Sequence, residues 1–393
     1  MTYLFTMYIY MNMSFDKYEF PELKIVPEIY KNKNACFVLK NCIIDLTNFS
    51  KLTIDDVYNN IKVYSENYRI KKYINRHPTT NALWYEEKTP SLEYDEYSEE
   101  SEKLKIDEHV DELFFCYDYL EWNYSHFLTD VYPKMWYYPQ IYKSNTNVKF
   151  GQIRPIINYA NDVNDKSFIK KLSFRSDFAE DITDFYLKHN NLFDKFFPLE
   201  MGKIYHVDKL ILPVPYTSQD VWLWSDTQFE LYNLLVDESK KVKRNFSKNN
   251  FISRLDTQKN GWYHFRYMTN EKEVYKEIES LGFENVELMD LNIFEKIKLV
   301  NNSECIIQQG GSTTFNIIFE SPGTKNIIIT GPHYAEWKPM LEWLCTIKQT
   351  KLHLITSGVE LLGVDMYPDV CRRVPDQPFK FSDIQTLKNC INY

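Results

Sequence analysis

Between Asn250 and Thr330 short apolar runs and amphipathic stretches take turns along the chain, and this alternation constrains the fold more than any other feature. Asn250–Leu255 reads as a strand, Glu271–Leu281 as a helix, Val286–Met289 as a strand and Ile293–Val300 as a helix. Cys305–Gln308 continues as a strand, Thr313–Glu320 as a helix and Asn326–Thr330 as a strand. Strands joined through helices of this length lie parallel, with the helices crossing over the faces of the sheet. The second half is therefore expected to be a Rossmann-like α/β domain.

The first half carries weaker signals. From Phe20 to Lys72 apolar runs such as Ala35–Leu39 and Cys42–Leu46 are broken by polar turns, which suggests short strands. Glu93, Asp95, Glu96, Glu99, Glu100 and Glu102 crowd the stretch 88–105, expected as a solvated acidic loop. Leu113–Tyr119 reads as a buried strand leading into a helix, Glu121–Asp130, that Pro133 should end or kink. Lys203–Pro213 reads as a strand and Gln228–Val236 as a helix, followed by polar residues with the composition of a linker. The expected organisation is an N-terminal α/β domain over 1–240, a linker at 241–248, a second domain over 249–365, and a tail, 366–393, packing back on the first domain.

Length and charge exclude several classes. A chain of 393 residues has room for two cores, so a small stapled scaffold is ruled out. Asp and Glu outnumber Lys and Arg by 55 to 46, a net charge of −9, so no general positive field draws the chain to nucleic acid, and any anion needs a local basic pocket. Seven scattered cysteines without a C-x-x-C pair argue against a disulfide framework and a zinc ribbon, and favour a reducing compartment, the cytoplasm, or the host cytoplasm for a viral chain. Met1–Met13 is apolar but lacks a basic start and a cleavage site, and reads as a first strand or an overlong start rather than a signal or a transmembrane segment.

Two constellations can carry chemistry. At about 100° per residue, Asn123, His126 and Asp130 fall within roughly 60° of one another on a helix. A carboxylate beside an imidazole can act as, or orient, a general base for a hydroxyl; the alternative is that the pair only caps a kinked helix. Further on, Cys305–Gln309 runs through Gly310 and Gly311 into Ser312, Thr313 and Asn316. A strand that turns through two glycines into a helix can seat a phosphate on backbone N–H groups, although such glycines also serve sharp turning alone. Arg254 follows a strand and Arg266 precedes Asn270-Glu271, so both can reach the mouth of a parallel sheet, where a guanidinium fork suits phosphate. No D-x-D or H-E-x-x-H occurs and the eight histidines are dispersed, so neither a metal nor another cofactor is expected.

Together these segments resemble glycosyltransferase family 61, which includes plant xylosyltransferases and protein O-linked N-acetylglucosaminyltransferases. Asn123-Tyr-Ser-His126-Phe-Leu-Thr-Asp130 is similar to the family's N-x-x-H-W-x-x-D helix. Ser253-Arg254 and Arg266-Tyr-Met-Thr-Asn270-Glu271 look like its S-R and R-x-I-x-N-E. Glu295 stands where the family has E-Q, and Gly310-Gly-Ser-Thr-Thr-Phe-Asn316 resembles H-G-A-G-L-T-N, with Gly310 in place of histidine. The resemblance implies a GT-B architecture, two Rossmann-like domains facing across a cleft, and inverting, metal-independent transfer from a nucleotide-sugar, expected to be a UDP-sugar, to a glycan or protein hydroxyl. It implies Asp130 or His126 as the base, with Asn123 in support. Arg254, Arg266, Asn270, Glu271, Glu295, Gln309, Gly310, Gly311, Ser312, Thr313 and Asn316 would surround the donor. The alternative is an inactive glycan- or nucleotide-binding scaffold with the same fold.

Overall fold

The computed structural model describes residues 36–47, 62–65, 68–72, 93–97, 103–117, 124–158, 174–175, 177–213, 217–218, 221–222, 226–255, 268–331, 338–362 and 378–392. The segment Met1–Met13, Asn123 and Arg266 lie outside these residues, as does the side chain of Asp130. The chain divides into two compact units, Met1–Gln228 and Phe229–Tyr393.

The first unit is built on one mixed sheet. Strands β1 (Cys36–Asp45), β2 (Lys62–Ser65), β3 (Tyr68–Lys72) and β4 (Glu93–Tyr97) form an antiparallel meander. Strands β5 (Glu108–Phe115) and β6 (Lys149–Arg154) follow, then the short ribbon β7 (Ile157–Asn158) with β8 (Phe174–Arg175), then β9 (Phe196–Glu200) and β10 (Ile204–Pro213). The order across the sheet is β4-β3-β2-β1-β10-β5-β6-β9, parallel from β10 to β9 and antiparallel from β10 to β4. Only half of the sheet thus has the parallel pairing expected of a Rossmann-like domain. Within the described residues the two apolar runs fall in the single strand β1, because β10 pairs on both sides of Asn41, with Cys36 to Lys40 and with Cys42 to Asp45. Part of the acidic stretch, Glu93–Tyr97, is the edge strand β4 rather than loop, a place where charge discourages pairing with other chains.

A helical run crosses this sheet. Residues Tyr124–His126 (α1) pass into a π-helical turn, Phe127–Val131, and on into α2 (Tyr132–Met135) and α3 (Tyr137–Ser144). Pro133 does not end the helix. It falls in the first turn after the π-helical segment, where a missing N–H costs little. Tyr138 anchors the run, its ring 5.4 Å from that of Phe114 on β5 and 5.1 Å from that of Phe150 on β6, with its hydroxyl donating to Val148 O at 2.8 Å. From the other side α4 (Asp177–His189) packs Phe178 edge-on against Tyr124 and Phe127, and Tyr186 donates to Met135 O at 3.1 Å. The ribbon β11 (Thr217–Ser218) with β12 (Val221–Trp222) leads into α5 (Asp226–Ser239). Beyond its first turn α5 belongs to the second unit: Phe229 packs on Trp343 and Tyr232 on Phe319.

The second unit is a doubly wound α/β domain. Its strands β13 (Asn249–Ser253), β14 (Glu284–Glu287), β15 (Cys305–Gln309), β16 (Lys325–Ile329) and β17 (Lys351–Ile355) are all parallel. They are crossed by α6 (Glu271–Glu279), α7 (Ile293–Asn302), the 3₁₀ helix Ser312–Phe319 and α8 (Lys338–Lys348). All of β15 and Ile327–Ile329 of β16 are buried, as strands covered on both faces must be. The hairpin β18 (Val359–Leu361) with β19 (Phe379–Phe381), and α9 (Ile384–Asn392), complete the core through Phe379, Phe381 and Leu387. The described part of the tail packs within the second unit. Its three core side chains meet Ile327, Ile329 and Met268, and Lys325 Nζ donates to Ile391 O at 2.6 Å. No helix among the described residues is long and apolar enough to cross a membrane.

Glu320, at the end of the 3₁₀ helix, is 1% exposed and accepts from the Asn326 amide at 2.5 Å. Its Oε1 atom and Asn326 Oδ1 have no hydrogen-bond partner among the described residues, and burial pushes the carboxyl up to about 7, with Asn326, Lys348 and Thr350 pulling back only in part. A folded-state value above the usual one means that the native state holds the proton longer. Stability from this group is thus present in full below about pH 4.5 and is lost as the pH rises through 7. The whole change is on the order of 3 kcal/mol. Glu320→Gln, which keeps the shape without the charge, is expected to be more stable than the parent at pH 8 and to lose that advantage at pH 4.5. Urea unfolding at the two pH values measures this, and an equal gap at both would contradict it.

Candidate functional site

Across the second sheet the strands run β14-β13-β15-β16-β17, so the first strand in sequence lies between the second and the third. The winding reverses between β13 and β15, and beyond the carboxyl ends of such a pair an open α/β sheet has its ligand crevice. Arg254 directly follows β13, and Gly310 and Gly311 directly follow β15. Two segments more than fifty residues apart thus meet because Ile252 pairs with Gln308 in a parallel ladder.

A buried carboxylate organises this corner. Glu271, the first residue of α6 and 1% exposed, accepts from Ser253 Oγ at 2.5 Å, from the Arg254 backbone N–H at 3.1 Å, and from Gln309 Nε2. Gln309 Oε1 in turn accepts the Met268 N–H at 2.6 Å. Burial pushes the Glu271 carboxyl above its usual range, while the three donors and the nearby guanidinium draw it back down. The consequence is positional: the ends of β13 and β15 and the start of α6 are tied together around one side chain.

Above this network lies the half-buried side chain of Arg254, whose Nη1 donates to Gly310 O at 2.9 Å. A Cβ on Gly311 would stand 2.7 Å from that nitrogen, so the guanidinium keeps its place only because residue 311 has no side chain. Ser312 and Thr313, both half-buried, open the 3₁₀ helix, at the positive end of its dipole. A cationic fork beside such a turn suits an anion with several oxygens, such as a diphosphate.

Of the other expected donor residues, Asn270 and Glu295 are engaged elsewhere. Asn270 clamps β19, donating to Phe381 O at 2.8 Å and accepting the Phe381 N–H at 3.0 Å. Glu295 forms a reciprocal capping box with Asn292 at the start of α7, and its Oε1 lies 3.9 Å from Arg244 Nη1. Asn316 is buried within the 3₁₀ helix. Ser253, which the sequence singled out only as the neighbour of Arg254, emerges as a ligand of the central carboxylate; its position as the last residue of a strand ahead of an arginine was the available signal.

In the first unit His126 ends α1 and is half-buried, whereas Phe127, Leu128, Thr129 and Val131 are buried. Asp130 lies in the π-helical turn, which closes through the Tyr132 N–H to Phe127 O. The four-residue spacing to His126 therefore does not follow the α-helical geometry expected of it. Single π turns inside helices are frequent at functional sites. Lys134, 2% exposed, donates to Tyr117 O at 3.0 Å and ties the run to the end of β5.

A family model described as Glycosyltransferase 61 matches residues 124–327, a little over half of the 393-residue chain. The match opens on the helical run that bears His126 and Asp130 and closes in β16. No curated protein matches the chain.

Proposed function

The chain belongs to glycosyltransferase family 61, and from that membership we propose that it is an inverting, metal-independent enzyme of the GT-B type. It moves a sugar from a UDP-sugar to a hydroxyl group of a glycan or protein. The second unit takes the donor, with the diphosphate beside Arg254 and the turn Gly310–Thr313, and with Arg266 as a second guanidinium. The first unit supplies the base, Asp130 or His126. The base takes the proton of the acceptor hydroxyl as its oxygen bonds to the anomeric carbon from the side opposite the diphosphate. The bond from that carbon to the diphosphate oxygen breaks, UDP departs with the electron pair, and configuration inverts. Cationic and backbone N–H groups stabilise the charge that develops on the leaving group.

The observation that carries this reading is the guanidinium of Arg254 held over Gly310 and Gly311 at the switch point of the parallel sheet. The experiment is a thermal-shift panel of nucleotide-sugars on the purified chain, followed by a transfer assay with the donor that binds. One UDP-sugar is expected to raise the melting temperature, because a ligand of the native state stabilises it. Turnover is expected to persist in excess chelator; complete loss there, reversed by added metal, would contradict metal independence. Gly310 in the place of the motif histidine favours a second reading, an inactive binding protein of the same family. Binding without either donor hydrolysis or transfer would support it.

A further inference from the structure

On the first unit's sheet, outside all of the motifs, two histidines and an aspartate meet. His109 on β5 and His206 on β10 are register partners in a parallel pair, and Asp208 lies two residues beyond His206 on the same face. His109 Nε2 is 2.9 Å and His206 Nδ1 3.4 Å from Asp208 Oδ1, and the two imidazoles stack with centroids 5.0 Å apart. The three donor atoms all lie within 4.8 Å of one another. His206 Nδ1 is buried and has no hydrogen-bond partner among the described residues, although Asp208 and His109 stand beside it. From the geometry we propose that His109, His206 and Asp208 bind a divalent transition-metal ion of the zinc class.

The donor set selects the ion. Two imidazoles and one carboxylate suit Zn²⁺ and its neighbours, whereas Mg²⁺ and Ca²⁺ prefer oxygen donors throughout. Ligand atoms about 2.0–2.1 Å from a tetrahedral zinc stand roughly 3.3 Å apart, close to the separations of the two histidine nitrogens from Asp208 Oδ1. The metal takes the place of the proton between His109 Nε2 and Asp208 and gives the buried nitrogen of His206 a partner. His109 then carries its own proton on Nδ1, facing Asp111 Oδ1 at 3.6 Å, an arrangement in which a carboxylate behind the ligand orients the ring. Water completes the shell on the exposed side.

The site clamps two neighbouring strands and takes no part in transfer. His109 precedes the end of β5 at Phe115 by six residues, about 20 Å of extended chain, and the helical run bearing His126 begins only beyond that end. This inference is independent of the transferase reading and survives its failure.

The test uses the purified full chain, stripped with chelator and dialysed, with Zn²⁺ alone as the probe. Titration calorimetry is expected to show a binding site that weakens at least tenfold in His109→Ala and again in Asp208→Asn. Both residues are half-exposed, so neither change empties a core. Equal affinity and stoichiometry in the parent and both variants would overturn the proposal. A second measurement needs no variant: Zn²⁺ is expected to slow the reaction of His109 and His206 with diethyl pyrocarbonate, read by peptide mass spectrometry, while Mg²⁺ leaves it unchanged. Unaltered labelling of both histidines in Zn²⁺ would likewise overturn it.

Discussion

Turnover by Asp130→Asn and by His126→Ala is expected to fall by about 10²–10⁴-fold, the usual cost of losing a general base, while UDP-sugar affinity stays nearly unchanged. The asymmetry follows from the proposed division of labour. A base acts on the acceptor hydroxyl as the transition state forms, and the donor's binding energy is drawn from the second unit. The two variants also distinguish the roles within the pair. If Asp130 takes the proton itself, His126→Ala leaves more residual turnover than Asp130→Asn; if Asp130 orients the imidazole, the order reverses. A collapse of donor affinity in either variant would show that these residues bind the donor, and the assignment of the base would fail. The π-helical turn makes the result sensitive to local geometry, because Phe127 and Val131 are buried on either side of the segment and fix its backbone.

Arg254→Ala is expected to weaken UDP binding roughly 10- to 150-fold, the equivalent of about 1.5–3 kcal/mol for one charge-assisted contact. The Glu271 carboxylate holds the backbone N–H at 254 and Gln309 Nε2, so truncation keeps that tie between the ends of β13 and β15 and removes only the one from the guanidinium to Gly310 O. Loss of affinity in a variant that still folds and melts cooperatively is therefore the specific signature. Arg254→Lys is expected to recover only part of the affinity, since an ammonium cannot span two phosphate oxygens as a planar fork does. Gly311→Ala makes the same point from the other side: its methyl group would push the guanidinium from Gly310 O without removing any charge. Unchanged UDP affinity in Arg254→Ala would take this residue out of the site.

Much of the second unit was legible in the sequence, for a physical reason. Its strands β13, β15 and β16 are short runs buried over most of their length, and α6, α7 and α8 repeat their apolar residues at helical spacing, so the residue pattern marks the βαβ units. The fifth strand, Lys351–Ile355, was not anticipated, because its residues are mostly half-buried and alternate lysine and histidine with leucine. The first unit was harder to read, since the antiparallel meander β1–β4 depends on which distant strand each segment meets. The merging of two apolar runs into β1 is a property of β10, more than 160 residues away.

The candidate donor site was readable only in part. Arg254, Glu271, Gln309, Gly310 and Gly311 could be selected by residue type and position, and they do converge. Asn270 and Glu295 carry the same polar marks, yet one spends its amide on the backbone of Phe381 and the other its carboxylate on a helix cap. Nothing local distinguishes a side chain that faces a ligand from one that pins a neighbouring strand. The π turn at Phe127–Val131 leaves no compositional trace, being a change of hydrogen-bond partner and not of residue type. The pairing of His109 with His206 was invisible for a similar reason: ninety-seven residues separate two side chains that only a parallel strand pair brings together.

Photolabelling with an azido-substituted UDP probes the claim on which the transferase reading rests, that the switch point of the second sheet receives the nucleotide diphosphate. Peptides carrying Ser253–Arg254 or the segment 309–316 are expected to take up the label, and unlabelled UDP is expected to compete it away. Competable labelling confined to the first unit, with those peptides untouched, would contradict it.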